Sequence, residues 1–120
     1  MFAYEIPGLR FSLPAGGAVA RHRFVAASSD KAIQAVVTSQ VIGVSMNEVT
    51  AEENTAGGHI VEIADGLVMV EAAGAISSGA IVYPDANGKA TATQGSNAVQ
   101  AGIAITSAST AGELITVKVN

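Results

Sequence analysis

Hydrophobic residues along the chain fall into short runs that turn-forming residues separate, and this pattern is typical of β-strands. Val and Ile dominate the runs, whereas Gly, Asn, Asp and Ser lie between them. Asp65-Gly66 and Asn87-Gly88 have the composition of tight turns, because Asn, Asp and Gly tolerate positive φ angles. Helix is weakly supported: segment 47–54 could hold one helical turn or be a charged loop. The sequence therefore predicts an all-β domain, built as a small barrel or a sandwich.

The first fourteen residues have a pattern of their own. Apolar side chains alternate with small or polar ones on both sides of Pro7-Gly8, and Pro14 ends the alternation. Proline inside a strand-like run favours an edge strand or an extended arm over a central strand. We predict that residues 1–14 form an extended N-terminal arm and that residues 15–120 form a single domain.

Aromatic residues are concentrated in this arm. Three of the five lie in the first eleven positions, although a small core normally takes its few aromatic side chains for itself. An extended segment can add a strand to a sheet edge on another protein. We predict that the arm anchors the chain to a partner or to a neighbouring subunit through Phe2, Tyr4, Ile6, Leu9 and Phe11. The alternative is that these side chains pack back on the domain's own core.

The remainder of the chain contains an internal repeat with a period of about 57 residues. Gly43 corresponds to Gly102, and Ala56-Gly57 corresponds to Ala111-Gly112. The sequence therefore predicts two related halves, at about 15–63 and 72–119, in a pseudo-two-fold, β-tulip-like barrel or sandwich. Each half would cover the apolar face of the other. Chance similarity between simple β-sequences is the alternative.

Composition limits the possible partners. Hydrophobic residues make up 49% of the 120 residues and charged residues 13%, a balance that excludes disorder for most of the chain. Cysteine is absent, so disulfides and thiolate metal sites are excluded. A net charge of −4 with six Lys and Arg residues argues against nucleic acid, and no apolar run is long enough to span a membrane. So few charges suggest that part of the surface is buried against another protein.

Residues suited to catalysis or metal binding do not form a recognisable motif. His22 and His59 lack a second ligand at a metal-binding spacing, and the chain has no nucleophile elbow and no phosphate-binding glycine loop. Asp85, Asn87 and Gly88 resemble the start of a calcium loop whose other ligands are missing. We therefore predict no catalytic residue, no metal site and no cofactor, and conclude that the chain is not an enzyme.

One stretch of strand and turn motifs resembles a known family. The order and spacing of these motifs are similar to those of the capsid cement, or head decoration, proteins of tailed bacteriophages. The resemblance covers the chain from Pro14 to the C-terminus, and the N-terminal arm departs from the family pattern. The residues that carry it are Val61-Glu62-Ile63-Ala64-Asp65-Gly66, Ala73-Gly74-Ala75-Ile76, Gly79, Val82-Tyr83, Asp85, Gly88-Lys89, Gly102-Ile103-Ala104 and Ala111-Gly112.

The resemblance implies a structural virion protein that is made in the host cytoplasm and lies on the outer surface of the capsid. It further implies that the protein stabilises the head by clamping adjacent major capsid proteins and that it is a homotrimer. The alternative is a non-enzymatic β-module that binds a ligand or carbohydrate on a phage tail or cell surface. Sugar-binding modules use aromatic platforms, and the absence of Trp speaks against that alternative.

Overall fold

The fold was obtained as a computed structural model, which describes residues 3–120. It is almost entirely β-structure, which confirms the all-β prediction. One six-residue helix interrupts the strands within the part of the chain described. In chain order the elements are β1 (Ile6–Pro14), β2 (Phe24–Ser28), β3 (Lys31–Gln34), β4 (Gly43–Ser45), α1 (Ala51–Ala56), β5 (Ile60–Glu71), β6 (Ile81–Pro84), β7 (Ala90–Thr91), β8 (Gly102–Ala104) and β9 (Leu114–Val119).

The strands form one antiparallel sheet that curls into a half-barrel. Its order is β3-β2-β4-β5-β9-β8-β6-β7, and β1 is added to it through β5. β5 is the longest strand, with 12 residues, and it pairs with β1, β4 and β9. The architecture is thus a single curved sheet, in which β5 joins the first part of the chain to the second.

The predicted N-terminal arm lies in this sheet from residue 6 onward. β1 is extended, as the alternating pattern predicts, but it pairs antiparallel with β5 of the same chain from Ile6 opposite Leu67 to Pro14 opposite Ile60. A bulge between Pro7 and Arg10 shifts the register once. β1 is therefore an edge strand of this sheet, because the first part of β5 offers it a ladder of hydrogen bonds.

The helix α1 overlaps the end of segment 47–54, for which a helical turn and a charged loop are the alternatives, and continues two residues beyond it. Its N-terminus is a capping box, in which the Thr50 side chain accepts a hydrogen bond from the Glu53 N–H and the Glu53 carboxylate accepts one from the Thr50 N–H. The hydrogen bond from the Thr50 backbone holds the pKa of Glu53 below its ordinary value. None of the helix residues is buried, and no helix in residues 3–120 is long and apolar enough to cross a membrane.

The same pattern of strand pairing occurs twice along the chain. In the first part β2 pairs with β3 and β4, β4 pairs with β5, and β1 pairs with β5. In the second part β6 pairs with β7 and β8, β8 pairs with β9, and the end of β5 pairs with β9. The second part thus repeats the ladder of the first, with the end of β5 in the place of β1.

Gly43 and Gly102 occupy the same place in the two ladders. Gly43 lies opposite Val25 in β2, and Gly102 lies opposite Val82 in β6. A Cβ atom on Gly43 would meet the Ala64 carbonyl oxygen at 2.7 Å, and one on Gly102 would meet the backbone of the equivalent strand even more closely. Neighbouring backbone therefore approaches both positions too closely for any side chain.

The apolar residues form two separate cores. The smaller core lies in the first half, around Val19, Val25 and Ile63. The larger core lies between the two halves. On the side of the first half it includes Phe24 and Val44, which point away from the smaller core. Because side chains alternate along a strand, the first-half sheet formed by β2, β4 and the start of β5 is buried on both faces.

Candidate interaction surfaces

The histidines and most carboxylates of the described chain lie apart from one another. No group of three His, Asp or Glu side chains in residues 3–120 is arranged to hold a metal ion. His59 Nδ1 lies 3.6 Å from the Glu53 carboxylate at the surface, whereas His22 lies next to β2 with its Nδ1 buried. A surface depression of about 360 Å³ lies beside β1, and Arg10 and Glu62 are among the residues that line it. These two charged side chains already form an ion pair with each other.

One polar cluster joins the two halves of the chain. The Glu71 carboxylate lies 3.2 Å from Arg23 Nη2 and 3.0 Å from Lys89 Nζ. Arg23 also donates a hydrogen bond to the Asn87 carbonyl. Burial alone would raise the pKa of Glu71, but the hydrogen bonds from Lys89 and Arg23 outweigh it and hold the pKa below its ordinary value. The cluster is a structural clamp between β2 and the β6–β7 turn.

The predicted anchor residues of the N-terminal segment divide into two groups. Tyr4, Ile6 and Leu9 are exposed, at 41%, 63% and 58% of their surface. Phe11 is partly buried and packs with Leu13 against the smaller core, as the alternative interpretation expected for the whole set. Phe2 lies outside the described residues. Three of the five predicted anchors are therefore available to a partner.

Tyr4 is held in place through its backbone, so that its side chain remains exposed. The Tyr4 N–H donates to Thr116 Oγ1 at 2.7 Å, and the Thr116 hydroxyl donates to the Tyr4 carbonyl at 2.7 Å. Thr116 lies in β9 and is fully buried. The segment before β1 therefore crosses β9 and covers part of the outward face of the second half.

A second surface with exposed apolar side chains lies on that outward face, and the sequence alone does not predict it. Ile81 pairs with Ile103, Ile103 with Lys118, and Lys118 with Leu67, so these four side chains share one face of the sheet. Ile81 is 45% exposed and Ile103 is 39% exposed. We call this row the back face of the second half. The alternating pattern in β6 and β8 indicates which of their side chains point to the same face. Only the strand pairing shows that Ile81 and Ile103 are neighbours on that face.

The equivalent row in the first half is completely buried. Phe24 pairs with Val44 and Val44 pairs with Ala64, in the same register as Ile81, Ile103 and Lys118. All three first-half residues have 0% exposure and belong to the larger core. The second half therefore covers the back face of the first half, whereas Ile81 and Ile103 on the back face of the second half remain partly exposed.

Comparison with known proteins places the chain in a family. A sequence model described as "Phage cement protein" matches residues 6–120. The chain belongs to the phage cement protein family. This confirms the resemblance drawn from the strand and turn motifs, and it extends the match into β1. Phage cement proteins are structural proteins, which are not a class of enzymes.

A solved structure with the same fold comes from another phage protein. The head fiber gp8.5 N base of bacteriophage phi29, known from its crystal structure, matches with a TM-score of 0.70 over 93% of each chain. The two sequences are 20% identical, so this likeness concerns the fold. No curated protein matches the chain. Membership of the cement family supports a structural, capsid-associated role and a location in the virion.

Proposed function

We propose that this protein is a capsid decoration protein that binds the outer surface of the phage head and stabilises it by clamping adjacent major capsid proteins. The family match over residues 6–120 is the observation that carries the proposal. The surface is compatible with this role, because it offers exposed apolar side chains for contacts with another protein. Many weak, identical contacts over a shell add up to firm attachment.

The exposed side chains at the start of the chain are the proposed capsid contacts. Ile6 and Leu9 have the largest exposed fractions among the large hydrophobic residues described. Both lie on β1, which pairs with β5 alone among the described strands. Such an edge strand can take part in main-chain hydrogen bonds with a partner while its side chains enter apolar pockets. We propose that Tyr4, Ile6 and Leu9 contact the major capsid protein.

We propose that the protein is a homotrimer on the capsid, in line with the family resemblance. We also propose that the halves at about 15–63 and 72–119 are related units. The repeated strand pairing and the equivalent glycines at 43 and 102 support their relationship.

The test is to weaken the proposed capsid contact without disturbing the fold. Deleting the whole segment is unsuitable, because Phe11 packs on the core and β1 pairs with β5. The double substitution Ile6→Ser and Leu9→Ser changes only exposed side chains. Val36→Ser is the matched control, since Val36 is 46% exposed and lies in a loop after β3.

The measurement is the thermal stability of capsids with and without added protein, together with co-sedimentation. The unchanged protein and the Val36→Ser control should bind capsids and raise their melting temperature. The double variant should bind at least about a hundredfold more weakly, since two buried apolar side chains contribute about 3 kcal/mol or more to an interface. Equal binding by the double variant would refute the role of these residues, and failure of the unchanged protein to bind would refute the proposed function.

A further inference from the structure

The β6–β7 turn holds the one Asn-Gly pair of the chain, Asn87-Gly88. The Gly88 N–H donates a hydrogen bond to the Asp85 carbonyl at 3.2 Å, and Gly88 has a φ of 73°. Both features are typical of a type I turn that ends in a glycine bulge. Asn87 is exposed, whereas Gly88 is buried. An exposed amide side chain thus lies next to a backbone N–H that the fold holds in place.

The backbone of this turn is fastened to the start of β2. The Phe24 N–H donates to the Gly88 carbonyl at 2.8 Å, and Arg23 Nη1 donates to the Asn87 carbonyl at 3.0 Å. The ion pairs made by Glu71 close the same junction. A Cβ atom on Gly88 would lie 3.1 Å from the Phe24 carbonyl oxygen. The positive φ and this close approach therefore both require glycine after Asn87.

An Asn-Gly pair can lose ammonia without an enzyme. The backbone nitrogen of the glycine attacks the side-chain amide carbon of the asparagine and forms a C–N bond. The amide nitrogen leaves as ammonia and takes the proton of the attacking nitrogen with it. Water then opens the five-membered succinimide ring. Aspartate results if the bond to the side-chain carbon breaks, and isoaspartate results if the bond to the main-chain carbonyl carbon breaks.

We propose that Asn87-Gly88 is a deamidation site that reacts through an open state of the β6–β7 turn. In the closed turn the Gly88 N–H is directed at the Asp85 carbonyl, so its nitrogen is not available to the Asn87 side chain. Attack requires the loss of this hydrogen bond and a rotation of the Asn87 backbone. That rotation moves the carbonyl groups that Arg23 and Phe24 hold. The rate in the folded protein should therefore follow how often the junction between the halves opens.

The isoaspartate product should weaken this junction. It inserts an additional carbon into the main chain between the N–H of residue 87, which donates to the Asp85 carboxylate, and the Gly88 carbonyl, which accepts from Phe24. The two hydrogen bonds can then no longer form together in their present geometry. Aspartate keeps the length of the main chain and should preserve both. This inference goes beyond the proposed function and does not depend on capsid binding.

Peptide mapping by mass spectrometry measures the reaction. The unchanged protein is incubated at mildly alkaline pH, once folded and once unfolded in urea, and the deamidated fraction of the peptide that contains Asn87 is followed over time. We expect the folded protein to react about tenfold more slowly or less, because the turn must open first. Equal rates in the two conditions would overturn the proposal.

Two variants separate opening of the junction from a general loss of stability. Glu71→Gln weakens the ion pairs at the junction and should accelerate deamidation of the folded protein about fivefold or more. Thr50→Ala removes the cap of α1, which takes no part in the junction, and should leave the rate unchanged. Equal acceleration by both variants would show that the reaction follows unfolding of the whole chain, and would overturn the role of the turn.

The effect of the product is tested on aged protein. The deamidated fraction carries an additional negative charge, so ion-exchange chromatography separates it from unreacted protein, and an isoaspartyl methyltransferase labels its isoaspartate. This fraction should melt at a lower temperature than the Asn87→Asp variant, which has the same charge and a main chain of normal length. Equal melting temperatures would overturn the predicted weakening of the junction.

Discussion

Replacing Phe24 with alanine tests whether the two halves are held together through the back face of the first half. Phe24 is the first residue of β2 and is fully buried in the larger core, which it shares with residues of the second half such as Val82 and Ile115. Ile81→Ala changes the equivalent position of the second half, which is 45% exposed. The two variants therefore compare equivalent positions of the two strand ladders, one fully buried and the other half-exposed.

The expected difference follows from burial. Removing a fully buried Phe side chain costs about 3–5 kcal/mol, since it loses the transfer free energy and leaves a cavity. A chain of this length has a total free energy of unfolding on the order of 6–18 kcal/mol, so Phe24→Ala removes a large part of it. Ile81→Ala deletes a half-exposed side chain and should cost about 1 kcal/mol or less in the monomer.

Urea unfolding followed by circular dichroism measures both values. The experiment is done in dilute protein and repeated at several concentrations, because self-association would add to the apparent stability of the unchanged chain. A similar loss of free energy in the two variants would refute the difference in burial between the halves. A loss below about 1 kcal/mol for Phe24→Ala would refute the role of the larger core as their junction.

Three further substitutions test the clamp, the close strand approach and the helix cap. Glu71→Gln should cost about 1–3 kcal/mol at neutral pH. Because the folded-state pKa of Glu71 is lowered, the unchanged chain should lose this advantage as the pH falls through that pKa, as urea titrations will show. Gly102→Ala should lower the free energy of unfolding by about 1–3 kcal/mol, whereas Gly74→Ala, which meets open space, should not. Thr50→Ala should cost about 1 kcal/mol in thermal unfolding.

The sequence predicts well those features that short segments determine. Alternation and turn residues are local, and they predict the all-β class correctly, although the predicted tight turn at Asp65-Gly66 is wrong, since both residues lie inside β5. Gly43 and Gly102 are identifiable as equivalent from sequence, since a close approach of two backbones leaves glycine as the only choice. The family resemblance works for the same reason, because it rests on glycine, valine and turn positions whose spacing the ladder fixes.

Features that depend on distant pairing are beyond the sequence. The alternation in residues 6–14 is the same for a free arm as for an edge strand, and only the pairing with β5 distinguishes them. Phe24 and Ile81 are both apolar residues at the start of a strand, yet one is buried and the other exposed. Their difference arises from the stacking of one half on the other, which no local pattern records.

Cryo-electron microscopy of capsids incubated with the purified protein tests the central claim most directly. The capsids should be assembled from the major capsid protein of the same phage, with untreated capsids as the reference. We expect additional density on the outer surface, at the junctions of neighbouring capsid subunits, with β1 turned toward the shell. Maps that are identical with and without the protein, or density confined to the interior of the shell, would contradict the account.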